Sequence, residues 1–452
     1  MTTTHTRARA ALLVATLGAL GSALALAMSG CAPPPTQPLV RHEAPAEVEV
    51  APARPCTRDV TVAAPPTPPT PTAVEARFDP TMNTILLTAG QGVTLPALAR
   101  AVGNPDLLSE VAPGEWLLGV DLVVLPGTSV LITAPTTRWL KLLSTPGRFV
   151  GVKAFGGNVD VSGACITSWD VAAGTVDTES ADGRGYLLAR DGAQMNIDNA
   201  EIRYLGNSDV ESYGLAWRTQ GTGGKITNSI VSHLYYGLYS YEIGGLVVAD
   251  NEFHDNILYG IDPHTGSHNL TIERNVVHDN GKHGIIIAED CVDNVIRDNI
   301  VYRNDHHGIV LYLRSDRNTI EGNDTFANAA QGININESHD NAIRGNRIYD
   351  NVESGIGITQ TSENNVVENN QSRGNGQDGI RIVSEAGHTT LRANMFGENG
   401  RYGVYVDING HVDIAGNQIF ANRSGIMLKG SAVVPGDNNA IFDNQETAIA
   451  RG

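Results

Sequence analysis

The hexapeptide from Tyr259 to His264, YGIDPH, carries three side chains that could exchange protons with a substrate. Histidine titrates near neutral pH, a tyrosine hydroxyl can give up a proton, and Asp262 could orient His264 or raise its basicity. Pro263 fixes the backbone between these two polar residues. The pair interrupts a coil otherwise made of Ile and Leu, and folding alone gives no reason for it. The segment is therefore a candidate acid–base site.

This segment lies within about ten imperfect repeats, each opened by a glycine and spaced by 22 to 24 residues. The glycines are Gly214, Gly237, Gly260, Gly284, Gly308, Gly332, Gly355, Gly379, Gly403 and Gly425. Each repeat has two or three short stretches of Val, Ile and Leu, bounded by Asn, Asp and Gly, which tolerate left-handed turns. The long helical periodicity of helical repeat proteins is missing. The pattern predicts an all-β fold, a right-handed parallel β-helix with three short strands per coil.

Asparagines recur in two columns between the glycines. One column is Asn251, Asn275, Asn299, Asn323, Asn346, Asn370, Asn394 and Asn417, and the other, five residues on, is Asn256, Asn280, Asn304, Asn328, Asn351, Asn375, Asn399 and Asn422. We expect each amide to hydrogen-bond to the coils above and below it. Both columns are therefore predicted to be structural.

Stacking of the coils turns sequence offsets into spatial neighbours, because adjacent parallel strands lie about 4.8 Å apart. The residues just before each glycine, and those two and four positions beyond it, form three columns that meet in one patch. The predicted patch contains Tyr239, Tyr241, Tyr259, Asp262, His264 and Tyr312. Arg218 falls two coils from His264, on the order of 10 Å away. His283 and His307 are expected to be stacking or rim residues. Aromatic and charged groups in a shallow groove suit a sugar polymer with about one unit per coil.

The first residues have the pattern of an export signal. A basic start with Arg7 and Arg9 precedes an apolar stretch, and small residues before Cys31 resemble a lipobox, which predicts lipidation of Cys31. Plain secretion is the alternative. The predicted domains are a signal peptide at 1–30, a Pro-rich tether at 31–75, a cap with a short helix near Val93–Gly103 and the first strands at 76–130, and the catalytic β-helix at 131–452. These features predict an exported, membrane-anchored lipoprotein, periplasmic or at the cell surface.

Composition limits the possible partners. The net charge of −18 and the lack of a basic run argue against nucleic acid, so a polyanionic substrate would have to meet a local cluster of cations. No spacing predicts a metal site, and although acidic turn residues leave calcium possible, none specifies a calcium loop. Two of Cys56, Cys165 and Cys291 could pair in an oxidising compartment, but Cys165 and Cys291 lie in strand-like contexts that favour buried thiols. We expect a monomer without a resident cofactor.

Around these residues the chain resembles the mannuronan C5-epimerases, above all the periplasmic epimerases of alginate-producing bacteria. The resemblance runs from about Gly90 to about Gly425 and includes ESYGL, YYGLYSYE, DNILYGIDPHTGSHNLTI and KHGIII. It implies conversion of β-D-mannuronate to α-L-guluronate, or of a related uronate, within a polysaccharide, by abstraction of H5 and reprotonation from the opposite face. By the family pattern His264 and Tyr259 are the catalytic pair, with His264 favoured as base, and Asp262 supports them.

The chain departs from the family pattern at three positions. Thr265 replaces an acidic residue after DPH, and the positions of the family arginines fall on Glu289 and His306. Because removal of H5 requires neutralisation of the C6 carboxylate, another cation must serve, and Arg218 fits the columns best. The predicted substrate-binding residues are Arg218, Tyr239, Tyr241, Lys282, His306, Tyr312 and Arg314, with Lys225 as a further candidate cation.

Two other functions share this scaffold. A polysaccharide lyase would begin with the same abstraction of H5 but would then expel the C4 oxygen by β-elimination. A lipid-anchored, non-catalytic polysaccharide-binding protein would keep the scaffold without turnover. The departures at the arginine positions favour the binding protein, whereas the retained YGIDPH segment opposes it.

Overall fold

Three long parallel sheets form the body of the molecule in a computed structural model that describes residues 41–42, 56, 73–429 and 433–452. Each regular coil contributes one strand to each sheet, and that strand pairs in parallel with the equivalent strands of the neighbouring coils. Among the described residues, four antiparallel pairs, all before residue 177, are added to these sheets. The predicted parallel β-helix is thus confirmed.

The strands of each sheet follow one another along the axis of the solenoid. The first sheet contains Glu75–Asp79, Thr84–Ala89, Asp121–Val124, Gly151–Phe155, Tyr186–Arg190, Gly214–Arg218, Tyr236–Tyr241, Ile261–His264, Ile285–Ala288, Ile309–Tyr312, Ile333–Asn336, Ile356–Thr359, Ile380–Val383, Tyr402–Asp407, Ser424–Lys429 and Ile449–Arg451. The second contains Val93–Thr94, Ser129–Thr133, Asn158–Ser162, Gln194–Asp198, Gly223–Thr227, Val247–Ala249, Thr271–Glu273, Val295–Arg297, Thr319–Glu321, Ala342–Arg344, Val366–Glu368, Thr389–Arg392 and Val412–Ala415. The third contains Leu108–Ala112, Glu115–Leu118, Trp139–Thr145, Arg148–Phe149, Cys165–Asp170, Thr175–Val176, Glu201–Arg203, Ile230–Ser232, Glu252–His254, Val276–His278, Ile300–Tyr302, Asp324–Phe326, Arg347–Tyr349, Gln371–Arg373, Met395–Gly397, Gln418–Phe420 and Ala440–Phe442.

The core consists of aliphatic columns inside the solenoid. In the first sheet, the residues one and three positions beyond each repeat glycine point inward, as Ile285 and Ile287 do in one coil, and both are fully buried. Side chains alternate between the two faces of a strand, so the positions two and four beyond the glycine point outward. The chemistry-bearing columns therefore lie on the outer face of the first sheet.

One short helix, α1, spans Leu95–Val102 and buries Leu95 and Leu98 against the end of the core. Gly103 ends it in a left-handed conformation, with φ of 67°. The predicted helix near Val93–Gly103 is confirmed, but it does not precede the first strands. Glu75–Asp79 and Thr84–Ala89 come before it and pair with each other as an antiparallel hairpin at the end of the first sheet.

The asparagine columns form continuous ladders, as predicted. Asn275 Nδ2 donates to Asn299 Oδ1 at 3.0 Å, and in the second column Asn280 Nδ2 donates to Asn304 Oδ1 at 2.9 Å. Each amide also bonds to backbone groups of neighbouring coils; Asn299 Nδ2, for example, donates to the carbonyl of Ile272 at 2.9 Å. The ladders satisfy polar groups at the buried turns.

The N-terminal segment is attached to the solenoid at two described points. Cys56 forms a disulfide with Cys165, so the expectation that Cys165 is a buried thiol is wrong; Cys291 is a free and buried thiol. Further along the third sheet, the backbone N–H of His42 donates to the Tyr349 hydroxyl at 2.8 Å. Most of the predicted tether, as well as the signal peptide and Cys31, lies outside the described residues.

Within the part of the chain that the structure describes, no helix has the length and apolar character needed to cross a bilayer.

Candidate active site

The predicted columns on the first sheet are confirmed by its register. Arg218 pairs with Tyr241, Tyr241 with His264, His264 with Ala288, and Ala288 with Tyr312. In the neighbouring column, two residues earlier on each strand, Tyr239 pairs with Asp262. The strand Ile261–His264 therefore presents Asp262 and His264 on the same outer face.

A cleft of about 370 Å³ opens on this face. It is lined by Tyr236, Tyr259, Asp262, His264, Lys282, His283, Ile286, Ala288, His306, His307, Val310, Tyr312, Asn334 and Asn336. The structure thus brings together the predicted catalytic residues and three predicted substrate-binding residues: Lys282, His306 and Tyr312. Lys282 and His306 are exposed at its rim.

His264 is held by a short hydrogen-bonded relay. Its Nδ1 lies 2.7 Å from Thr265 Oγ1, and the Thr265 hydroxyl donates to Glu289 Oε2 at 3.1 Å. Because the hydroxyl proton is directed at the carboxylate, Oγ1 must accept from an Nδ1–H group. The lone pair of the neutral ring is therefore on Nε2, which makes His264 a proton acceptor through that atom.

The surroundings of His264 keep its imidazole neutral. Burial lowers its pKa, the negative charge of Glu289 opposes that shift, and the positive charge of Arg218 adds to it. The net pKa lies below the ordinary value for histidine. A neutral imidazole at neutral pH is the form that a general base requires.

Asp262 has a different environment from the one predicted for it. Its side chain is buried, and neither carboxyl oxygen has a hydrogen-bond partner among the described residues. The prediction that it orients His264 is wrong, because Thr265 and Glu289 fill that role. Burial raises the pKa of Asp262 well above its ordinary value, Lys282 lowers it and Glu289 raises it further. This shift favours the protonated form of Asp262, which can donate a hydrogen bond into the cleft.

Tyr259 is coupled to a cation from the next coil. Lys282 Nζ donates to the Tyr259 hydroxyl oxygen at 2.8 Å and lies 5.0 Å from the centre of the ring. With the ammonium donating to its oxygen, the phenol can direct its own proton elsewhere. Lys282 would also stabilise the phenolate left after proton transfer.

A stack of rings forms one wall of the cleft. Tyr259 and His283 stack with their centres 5.3 Å apart, and His283 and His307 with theirs 5.2 Å apart. His283 Nδ1 accepts a hydrogen bond from the backbone N–H of His307 at 3.3 Å. His307 Nδ1 accepts one from the backbone N–H of Gln331 at 3.1 Å. Burial lowers the pKa of His283 to about 2 and that of His307 to about 3, with neighbouring histidines adding to both shifts. These two residues stack, as expected, and serve as neutral acceptors.

Arg218 is separated from His264 by tyrosine rings. Its guanidinium carbon lies 5.0 Å from the centre of the Tyr239 ring and 5.4 Å from that of Tyr241. The Tyr239 ring centre is in turn 5.7 Å from that of His264. Arg218 is mostly buried and its Nε has no hydrogen-bond partner among the described residues, so it acts on His264 by charge at a distance.

The structure places two other candidate cations outside the cleft. Arg314 makes a two-pronged ion pair with Asp290, with Nε 2.6 Å from Oδ1, so its guanidinium is already neutralised at a turn. Lys225 lies on the second sheet, in a separate hollow of about 600 Å³ lined by glycines and polar side chains. Neither side chain lines the cleft.

Sequence reasoning did not assign a role to Thr265 and Glu289, although the signal was present. Each lies five positions beyond a repeat glycine, Gly260 and Gly284. The same stacking argument, extended by one position, would have placed them on neighbouring coils. Both have positive φ, 26° for Thr265 and 60° for Glu289, which marks the turn at which the strand ends.

Comparisons with known proteins point to two families. A family model described as "Periplasmic copper-binding protein (NosD)" matches residues 176–324, 265–371 and 359–451, together more than half of the chain. Mannuronan C5-epimerases from two Pseudomonas species are similar in sequence: that from P. fluorescens is 33% identical over 179 residues, and that from P. putida is 32% identical over 195 residues. These stretches cover 36% and 40% of this chain. The resemblance to mannuronan C5-epimerases is confirmed.

The matched region of the chain spans about a third of the length of these curated relatives, 33% and 36%. In fold, the likeness extends further. The crystal structure of the periplasmic alginate epimerase AlgG superposes with a TM-score of 0.64 and 23% identity, covering 82% of this chain and 85% of that one. At that level of identity the match establishes a shared fold.

Copper, named in the description of the first family, does not fit the described residues. Among them no group of three or more His, Cys, Asp and Glu side chains is placed to hold a metal ion. In the cleft, the Nδ1 atoms of His283 and His307 already accept hydrogen bonds from backbone N–H groups and are therefore not free to bind a metal ion. No metal-dependent step is assigned to these residues.

Proposed function

The chain belongs to the family described as periplasmic copper-binding protein (NosD), and from its cleft and its similarity to mannuronan C5-epimerases we propose that it is a polysaccharide C5-epimerase. Its substrate would be mannuronan or a related polyuronate, with β-D-mannuronate converted to α-L-guluronate inside the polymer. The observation that carries the proposal is the cleft, which is lined together by His264, Tyr259 and Asp262. The lowered pKa of His264 suits a base, and the raised pKa of Asp262 suits a hydrogen-bond donor.

The first requirement of the reaction is neutralisation of the C6 carboxylate, because H5 is only weakly acidic beside a full negative charge. We assign this role to Asp262, whose neutral carboxyl would donate a hydrogen bond to the substrate carboxylate. The ammonium of Lys282 would add positive charge at the rim. A protonated Asp262 explains how the site can work without an arginine at the positions of Glu289 and His306.

The second requirement is a base on one face of the sugar ring. Nε2 of His264 would take H5, while Nδ1–H remains bonded to Thr265. As the ring becomes positively charged, the relay to Glu289 stabilises it. The electron pair of the broken C–H bond moves into the carboxylate, which becomes an enediolate held by Asp262.

The third requirement is a proton donor on the opposite face. The Tyr259 hydroxyl would deliver its proton to C5, and Lys282 would stabilise the phenolate that forms. Proton exchange with solvent would then return His264 and Tyr259 to their starting states. Tyr312 and His306 would contact neighbouring sugar units along the cleft.

We also propose that the protein acts at a membrane surface. An exported protein carrying a lipid on Cys31 would place the solenoid at a membrane surface, in the periplasm or outside the cell. We also propose that the signal peptide ends at residue 30, the tether at residue 75 and the cap with the first strands at residue 130. The disulfide between Cys56 and Cys165 supports an oxidising compartment.

The test is product analysis with polymannuronate as substrate. We expect proton NMR to detect new guluronate signals, with no rise in the ultraviolet absorbance that unsaturated lyase products give. His264→Asn should abolish the guluronate signals, while Arg314→Gln, outside the cleft, should retain them. Absorbing unsaturated ends in place of guluronate would identify a lyase, and the absence of both products from folded protein would overturn the proposal.

A further inference from the structure

The outer face of the first sheet continues well beyond the cleft. Along the column that contains Asp262, the register passes from Ile286 to Val310, Asn334, Gly357, Arg381 and Tyr405. Arg381 is thus five coils beyond Asp262, roughly 24 Å along the axis at the strand spacing of about 4.8 Å.

Arg381 and Tyr405 form a cation–aromatic platform at this distance. The guanidinium carbon of Arg381 lies 4.3 Å from the centre of the Tyr405 ring. Tyr402 is adjacent, with its ring centre 5.6 Å from that of Tyr405, and the Tyr405 hydroxyl donates to Asp407 at 3.1 Å. Aromatic faces beside cations are suited to sugar acids, because the ring face packs on C–H groups and the guanidinium pairs with a carboxylate.

The charge of Arg381 is poorly neutralised by the protein. Its Nη1 donates a long hydrogen bond of 3.4 Å to Asp378 Oδ2. The oxygens of Asp378 are already engaged, because Arg401 donates to both of them at 3.2 and 2.7 Å. A guanidinium has five N–H donors in a planar fork, so Arg381 retains donors that can bind an anion.

The strip between the cleft and this platform is polar and low. Asn336 Nδ2 donates to Thr359 Oγ1 at 3.0 Å, and Gly357 has no side chain to stand above the sheet. The space that a Cβ at Gly357 would take is filled by the amide of Gln331, whose Oε1 accepts from Asn334 Nδ2 at 2.6 Å. The side-chain amides of Gln331, Asn334 and Asn336 thus offer a polymer a polar surface between the cleft and the platform.

We propose that Arg381 and Tyr405 form a distal subsite that binds a uronate unit of the same polymer whose reacting sugar lies at His264. This inference rests on the proposed function for the identity of the polymer. The subsite would favour chains that are long enough to span about 24 Å. It would also hold the polymer in register as successive units pass the cleft.

The experiment compares Arg381→Gln with wild type on size-fractionated mannuronate oligomers, some shorter and some longer than the span. For wild type we expect kcat/KM to be higher on the long oligomers. Arg381→Gln should reduce that preference about tenfold, as expected for loss of one charge-assisted contact. Arg392→Gln is the matched control, because Arg392 is paired with Glu368 on the second sheet and should leave the preference unchanged.

An unchanged preference for long chains in Arg381→Gln would overturn the subsite, as would an equal loss on long and short oligomers. Calorimetric titration with the same oligomers separates this outcome from failure of the proposed function. If wild type binds long oligomers in an Arg381-dependent way without converting them, the subsite stands and the epimerase proposal fails. If conversion occurs without any dependence on Arg381, the reverse holds.

Discussion

At the scale of single residues, the orientation of His264 depends on two side chains, those of Thr265 and Glu289. Thr265 accepts from His264 and donates to Glu289, which fixes the tautomer of the imidazole. Thr265 holds this position with φ of 26°, a conformation that a β-branched residue rarely adopts. Such strain, on the order of 1–3 kcal/mol, is tolerated where surrounding contacts enforce it and is common at functional sites.

Glu289→Gln tests the relay through pH dependence. Glu289 raises the pKa of His264, so removing its charge should lower that pKa further. Activity is lost on acidification as His264 takes up a proton, and the acidic limb of kcat/KM should therefore move to lower pH. We also expect kcat to fall about tenfold, because the imidazolium formed in the reaction loses a stabilising charge. The measurement is a pH profile of epimerisation.

Asp290→Asn is the matched control for this profile. Asp290 is the next residue in the chain but pairs with Arg314 outside the cleft. The acidic limb of the kcat/KM profile of Asp290→Asn should coincide with that of wild type. A limb that shifts to higher pH in Glu289→Gln, or shifts equally in both variants, would contradict the relay.

Asp262→Asn should stabilise the protein while impairing it. The folded-state pKa of Asp262 is raised, so the unfolded chain releases this proton at lower pH than the folded one. The carboxyl's contribution to stability is therefore present below about pH 4 and is lost as pH rises towards the folded pKa, at about 1.4 kcal/mol per pH unit. An asparagine cannot ionise and avoids this loss.

Denaturant unfolding at neutral pH should show the gain in stability, and turnover should fall about 100-fold, as when a transition-state donor is lost. The advantage of the variant should shrink at acidic pH, where Asp262 is protonated in both states. A variant that is less stable than wild type at neutral pH would indicate an ionised, paired Asp262 and would refute its role as a neutral donor.

At the scale of elements, most of the architecture follows from the repeat. The glycine period and the alternation of inward and outward residues were enough to place Tyr241 beside His264, and Tyr239 beside Asp262. Hydrogen bonds between turn side chains were harder to foresee. The offset places Glu289 near Thr265, but rotamers and the positive φ of both residues decide whether they bond.

The asparagine ladders should stabilise the solenoid more in their middle than at their end. Asn299→Ala removes an amide that donates to Ile272 O and Asn323 Oδ1 and accepts from Asn275, all at buried positions. Leaving these partners unsatisfied should cost about 3 kcal/mol or more in the free energy of unfolding.

Asn444→Ala is the control, at the last rung of the second ladder, where the side chain is only half-buried. In urea unfolding, the free energy of unfolding of Asn444→Ala should be about 1 kcal/mol lower than that of wild type. Equal losses for the middle and terminal variants would show that burial of the ladder does not set its contribution.

At the scale of the whole molecule, the N-terminal segment is part of the folded unit at the points described. Sequence spacing could not single out the pairing of Cys56 with Cys165, because the two lie 109 residues apart and only the coiling of the chain brings them together. The contact of His42 with Tyr349 is equally non-local. Long-range contacts of a non-repeating segment leave no periodic trace in the sequence.

Cys56→Ser should lower the stability of the solenoid. Closing a loop of this length restricts the unfolded chain, and losing the link should cost about 3–5 kcal/mol. The same decrease in Tm should appear when wild type is heated with a reductant, whereas reductant should not affect Cys56→Ser. A wild-type Tm that is insensitive to reduction would contradict a stabilising link.

Epimerisation by His264 and Tyr259 requires proton exchange at C5 of a polymer-bound uronate. The most direct measurement is incubation with polymannuronate in deuterated water, followed by NMR of the recovered polymer. We predict guluronate units that carry deuterium at C5, formed by wild type and not by His264→Asn. Guluronate that retains its original hydrogen, or a polymer unchanged by correctly folded wild type, would contradict the assignment of His264 and Tyr259 as the base and acid of a C5-epimerase.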